Sequence, residues 1–208
     1  MKDRETERDP MPNRVVEDVR PGPGTPIHTI TLPCGGRFDA VIYDLLDEPT
    51  DCIVNAANGG LSHGGGVAAA ILEAAGPAFD RECAALVRSH GRIPVGQAVL
   101  TTAGRLRFKG VIHAIGPRLG EGDEGAKIVS ALMSAFTLAH DRGWRSLSFP
   151  AISAGLLFVP ADVCANAYVE AVSSFCERFP DSPLRRIRLC LFKGPIVDAV
   201  RARMRSGG

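Results

Sequence analysis

From residue 27 onward, apolar positions fall in short blocks broken by Gly, Pro and Asp, and the period within each block suggests an element. HTITL (28–32) and FDAVIYDLL (38–46) read as strands joined by a PCGG turn, and DCIVNA (51–56) as a short strand buried in a sheet interior. VAAAILEAAG (67–76) reads as a helix ended by Gly76 and Pro77. PAFDRECAALVRSHG (77–91) is a second helix, with Pro77 in its first turn and Gly91 past its end. QAVLTTAG (97–104) and GVIHAIG (110–116) have strand character. EGAKIVSALMSAFTLAHDRG (124–143) places apolar residues at 128, 132, 135, 136 and 139, along one helical face. SLSFPAI (146–152) is a strand, DVCANAYVEAVSSFCERF (162–179) a helix, IRLCLF (187–192) a strand and PIVDAVRARMR (195–205) a closing helix.

Strands alternating with helices predict an α/β layered domain with a largely parallel or mixed sheet. It spans residues 27–205 and leaves 206–208 as a tail. Residues 1–26 are mostly charged or Pro/Gly and lack apolar period, which predicts a flexible polar arm or linker.

Composition narrows the function classes. At 208 residues, with 45% hydrophobic and 23% charged side chains, the chain fits one ordinary soluble core. A net charge of +1 supplies no field to gather nucleic acid, and the small Arg185, Arg186 and Arg188 cluster adds little, because alternating Arg186 and Arg188 fit the solvent side of a strand. No apolar run is long enough for a membrane span. The six cysteines, at 34, 52, 83, 164, 176 and 190, form no CxxC pair and no zinc-type spacing with histidine. They are expected to be reduced and structural in a cytoplasmic setting, with no metal required.

Two loops leave strand ends and enter helices with small residues: Ala56 to Gly66, and Ser153 to Leu157. Backbone N–H groups in such loops, beside a helix N-terminus, form a nest for phosphate without Lys or Arg. Gly64, Gly66 and Ala69 also fit G-x-G-x-x-A, but about ten loop residues precede the glycines and a second helix follows, so the dinucleotide reading fails on context. Asn55 and Asn58 stand where a buried strand enters the first loop. Asn55 is expected to fasten the loop as an Asx turn, and Asn58 to meet either the loop or a ligand hydroxyl.

VNAANGGLSHGGGVAAAI with DCIV before it, then IHAIGP (112–117) and FPAISAG (149–155), resemble the macrodomain family over about residues 27–205. The resemblance implies a three-layer α/β/α fold with a mixed central sheet that binds ADP-ribose, and many members remove ADP-ribose from modified proteins. It implies that Asp44 of YDLL accepts from the adenine amino group, with the Leu45 N–H near a ring nitrogen and Phe192 packing on the base. Asn58 matches the asparagine at the distal ribose of active members. Gly64, Gly65, Gly66 and Val67 match the first phosphate loop, and Ser153, Ala154, Gly155 and Leu156 the second.

Three departures bear on chemistry. Ala68 stands where hydrolases of the MacroD type carry an Asp, which removes that base. The SHGGGVA form instead resembles coronaviral macrodomains and those on some vertebrate ADP-ribosyltransferases, several of which hydrolyse mono-ADP-ribose without the Asp. Leu157 and Phe158 replace an aromatic and a glycine beside the distal ribose. The resemblance therefore implies a mono-ADP-ribosyl hydrolase acting on Asp or Glu esters, with Asn58 catalytic and His63, Leu157 and Phe158 near the ribose. The alternative is a reader that binds without turnover. No cofactor is implied, ADP-ribose being ligand or product, and the partners are ADP-ribose and mono-ADP-ribosylated proteins. The polar arm and Arg-rich composition suit a segment of an RNA-virus polyprotein or a domain of a larger cellular protein.

Overall fold

The computed structural model describes residues 24–206, so most of the expected polar arm and the last two glycines lie outside the described residues. Seven strands form one sheet in the order β1-β2-β7-β6-β3-β5-β4. They are β1 (Pro26–Thr31), β2 (Arg37–Ile42), β3 (Cys52–Ala57), β4 (Ala98–Thr101), β5 (Gly110–Ile115), β6 (Ser146–Pro150) and β7 (Arg186–Leu191). The five inner strands run parallel, and the edge strands β1 and β4 are antiparallel to their neighbours. Five helices, α1 (Gly66–Ala75), α2 (Pro77–His90), α3 (Glu124–Asp141), α4 (Ala161–Arg178) and α5 (Pro195–Arg205), cover the two faces. β1 begins at Pro26, inside the stretch read as an arm.

Side-chain alternation splits the strands between two cores. Phe38, Ala40, Val54, Ile112, Leu147, Phe149, Ile187 and Leu189 face α3, α4 and α5 in the larger one. Val41, Ile53, Val111, Ile115 and Cys190 face α1 and α2 in the smaller one. This is a three-layer α/β/α arrangement, as expected.

Three expectations are corrected. The second strand stops at Ile42 instead of running to residue 46, because Asp44 Oδ1 accepts from the Leu46 N–H (2.9 Å) and turns Leu45–Asp47 into a 3-10 turn. Arg188 is not on a solvent side: it is 1% exposed and bound to Glu48 and to Asp39 (3.3 Å), both fully buried. The chain around Glu48 and the carbonyl of Gly24 cover that face of β7, and Ser148 Oγ donates to Glu48 (2.8 Å). Finally, Cys34 and Cys176 form a disulfide between the β1–β2 hairpin and α4, while Cys52, Cys83, Cys164 and Cys190 are free and buried. The folding of α4 against the hairpin brings two thiols together from 142 positions apart, a proximity that no spacing rule reveals. No helix among the described residues is long and apolar enough to cross a membrane.

Candidate functional site

The inner strands all end at one edge of the sheet, at Ile42, Ala57, Ile115, Pro150 and Leu191. In open α/β sheets this is the edge where ligands collect. It is also where the apolar surface is. The exposed large hydrophobic side chains among the described residues are Ile42, Val95, Leu119, Leu156, Phe158 and Phe192. Ile42 ends β2, four others follow the carboxyl ends of parallel strands, and Val95 precedes β4, whose first residue pairs with Ala114 near the end of β5. Apolar surface gathered at one edge marks a binding face.

The first loop is held from below and left open above. Gly59 lies against the backbone of Ile93, whose N–H donates to the Gly59 carbonyl (2.8 Å). An added Cβ at Gly59 would stand 2.4 Å from the Ile93 oxygen, so only glycine allows this approach. Gly66, with φ of +57°, opens α1 with no side-chain cap and no acid in its first turn. Its N-terminal N–H groups and positive dipole end therefore suit an anion.

The second loop is fixed by buried bonds. Ser153, at φ of +67°, donates Oγ to the Pro117 carbonyl (2.8 Å), and Tyr168 Oη donates to the Ile152 carbonyl (2.6 Å). The Val159 N–H returns to the Ser153 carbonyl (3.1 Å), closing a turn that presents Gly155 and Leu156 outward while Ala154 packs half-buried on the larger core. The two loops face one another: Leu156 Cδ1 stands 3.7 Å from where a Cβ on Gly65 would lie and 3.8 Å from one on Gly66. Tyr168 was not singled out from sequence, since a tyrosine on an apolar helix face reads as core until its hydroxyl partner is known.

Other site residues divide. Asp44 and Phe192 are exposed at the neighbouring ends of β2 and β7, while the Leu45 side chain is buried beneath them. Leu157 is half-buried, and its carbonyl accepts from the Leu119 N–H (2.9 Å); Phe158 is exposed at φ of +59°. Val67 and Ala68 begin α1, with Ala68 buried. Asn58 lies at the mouth of the first loop, but its amide serves the loop itself. Oδ1 accepts from the N–H of Gly60 (3.0 Å) and of Ser62 (3.4 Å), and Nδ2 donates to the carbonyl and hydroxyl of Ser62 (both 2.9 Å).

Asn55 and His63 are corrected. Asn55 is not an Asx turn at the strand end: it sits within β3, 1% exposed, on the face beneath α1 and α2. Its Nδ2 meets Nδ1 of His113 (3.2 Å), its register partner on β5, and its Oδ1 has no partner. His63 turns inward with its side chain 2% exposed, so its ring does not reach a ribose. It packs on Phe79 (5.5 Å between centroids), with Nδ1 3.7 Å from Asp80 and Nε2 4.0 Å from Cys83 Sγ. The strands and α2 thus gather His63, Cys83, His113, Thr101 and Asn55 into one buried cluster under the glycine loop. Burial keeps both imidazoles neutral, lowering His63 despite Asp80 and holding His113 down near 3 with His63 beside it. Burial, with Glu82 and Asp80 adding to it, pushes the Cys83 thiol up to about 12.

The Macro domain family model matches residues 54–168, which carry both loops. The chain belongs to the macrodomain family. This macrodomain is 40% identical over 158 residues to an uncharacterized protein of Thermotoga maritima, covering 75% of the chain but only 26% of that longer protein. It is 41% identical over 144 residues to a Citrobacter rodentium protein named O-acetyl-ADP-ribose deacetylase, covering 68% of the chain and 81% of the relative. Among solved structures it resembles an Oceanobacillus iheyensis macrodomain with ADPR (TM-score 0.79, 24% identity, 86% of this chain and 97% of that one). It also resembles a Trypanosoma brucei macrodomain in complex with ADP-ribose (TM-score 0.71, 27% identity, 79% and 68%). The named sequence relatives are bacterial and archaeal, so the expectation of a viral polyprotein segment gains no support from them.

Proposed function

We propose that this macrodomain binds ADP-ribose along the carboxyl edge of its sheet and hydrolyses mono-ADP-ribosyl esters on Asp or Glu side chains. The observation that carries the reading is the facing pair of loops, with uncapped α1 on one side and the Ser153–Val159 turn on the other. A diphosphate between them accepts from the N–H groups of Gly65, Gly66, Gly155 and Leu156, with no basic side chain needed. Asp44 and Phe192 take the adenine at the β2 and β7 ends, and Leu157 and Phe158 border the distal ribose.

The Citrobacter relative's name supports ester chemistry on an ADP-ribose derivative, and the Trypanosoma complex supports the ligand. Water adds at the anomeric carbon of the distal ribose, and the carboxylate of the modified side chain departs. With Ala68 in place of an acid, a phosphate oxygen of the ligand takes the proton from water. Asn58 holds the ribose and orients the water, and the rate comes from positioning and backbone dipoles. No cofactor takes part.

One observation favours a second reading, a reader without turnover. The Asn58 amide makes four bonds within its own loop, so engaging a ribose requires exchange of at least one. The two are separated by incubating the protein and Asn58→Ala with a protein mono-ADP-ribosylated on acidic side chains, following loss of label beside calorimetric ADP-ribose binding. Loss of label with wild type and its fall by an order of magnitude or more in the variant support hydrolysis. Binding with undiminished label leaves the reader.

A further inference from the structure

We propose that His63, Cys83 and His113 form a metal site for zinc, which ties the glycine loop to α2 and β5. The three residues come from three separate elements, and their donor atoms all lie within 4.8 Å of one another. Cys83 Sγ is 3.8 Å from His113 Nε2 and 4.0 Å from His63 Nε2. A tetrahedral zinc with S at about 2.3 Å and N at about 2.0–2.1 Å has donor–donor edges of roughly 3.3–3.6 Å. The sulfur edges therefore have to contract by a few tenths of an ångström, and the imidazole nitrogens, at most 4.8 Å apart, by up to about 1.4 Å. The thiolate and two imidazoles are a soft donor set that favours zinc over magnesium or calcium. Thr101 Oγ1 lies 3.0 Å from His113 Nε2, and the fourth position falls to water or to this hydroxyl.

The surroundings match what such ligands need. A zinc-bound imidazole usually donates its other N–H to an acceptor, which fixes its tautomer. For His63 the nearest carboxylate is Asp80, 3.7 Å from Nδ1, which has to close by about half an ångström to accept from it. For His113 it is Asn55, whose Oδ1 is otherwise the unpartnered buried side-chain atom among the described residues. A half-turn of the Asn55 amide sets Oδ1 against the Nδ1–H of His113 and moves Nδ2 to the place Oδ1 now holds. His113 Nε2 is then free for the metal. Zinc takes its imidazoles neutral and its cysteine as the thiolate, so binding releases the Cys83 proton and strengthens with pH. The resulting positive charge lies next to Asp80.

His63 immediately precedes Gly64, so a bound ion fixes the base of the loop from which the phosphate nest rises. The proposal concerns metal binding itself and stands whether or not the domain hydrolyses anything. Chelator-treated protein is titrated with Co2+, and the near-ultraviolet thiolate-to-metal band and visible tetrahedral bands are followed. One equivalent is expected to produce both, and one equivalent of Zn2+ to bleach them and raise the melting temperature. Cys83→Ser is expected to lose the band and the Zn2+ shift. Asp80→Asn, an exposed change that leaves the fold intact, is expected to keep the band with about tenfold weaker zinc affinity. Absence of the thiolate band in the wild-type protein, or an equal Zn2+ shift in wild type and Cys83→Ser, overturns the site.

Discussion

Gly59→Ala tests the idea that the first loop depends on a backbone contact. The added methyl would stand 2.4 Å from the Ile93 carbonyl oxygen, about an ångström inside van der Waals contact, with backbone on both sides. Neither side has a flexible side chain to move. Relief requires residues 58–62 to lift away from Ile93, which breaks the 2.8 Å bond from its N–H to the Gly59 carbonyl. Overpacking costs about 1–3 kcal/mol and a buried unpaired amide about 1–3 kcal/mol, while the lower chain entropy of Ala returns about 0.4–1 kcal/mol. The net expectation is a loss of about 2–4 kcal/mol, or a melting temperature roughly 4–16 °C lower for a chain of this size. ADP-ribose affinity should fall with it, since Asn58 and the glycines move together. Thermal and urea unfolding measure the first effect, and calorimetry the second. Gly64→Ala is the control: nothing lies within 4 Å of its added carbon, so its stability should match wild type. A Gly59→Ala protein that melts with wild type refutes the contact argument.

Three other outcomes are expected. Asp44→Ala should weaken ADP-ribose far more than ribose-5-phosphate in calorimetry, and equal losses remove Asp44 from the adenine end. Glu48→Ala leaves the Arg188 guanidinium buried with Asp39 as its remaining carboxylate, and urea unfolding should show about 3–5 kcal/mol lost. Burial raises the Asp51 carboxyl, but Lys109 (2.8 Å) and the N–H groups of Arg145 (2.7 Å) and Ser146 (3.2 Å) outweigh it and hold the pKa below its usual value. The folded state therefore binds fewer protons than the unfolded chain on the acid side. The stability Asp51 contributes is full above its unfolded pKa near 4 and is lost as pH falls through the lower folded value. Asp51→Asn should flatten the acid limb of stability against pH, and an unchanged limb excludes this carboxyl.

Most elements were legible because their signals are local. The helix over 195–205 has Pro in its first turn and a clear amphipathic period, and it lies where expected. The strand expected over 38–46 was too long because Leu45 and Leu46 look like more strand, while the turn is made by a single side-chain bond from Asp44. The glycine loops were also legible, since small residues between a strand and a helix have few other uses. What the sequence hid depends on distance along the chain. Arg188 alternates like a solvent-facing residue, and only the Glu48 segment folding across it reverses that reading. His63, Cys83 and His113 are separated by 20 and 30 residues, so the cluster exists only once β5 and α2 have been brought under the loop.

The sheet order has a consequence for how the protein is made. β7, the last strand in the chain, lies between β2 and β6 near the middle of the sheet. Until residues 186–191 leave the ribosome, the β1–β2 hairpin has no neighbour on its inner side, and the block of β6, β3, β5 and β4 exposes an open edge. The nascent chain therefore carries two unjoined half-sheets, each with unpaired backbone groups that other strands can capture. Joining them is a single event that waits for β7. A stall shortly before residue 186 would leave six of the seven strands made and the sheet still in two pieces.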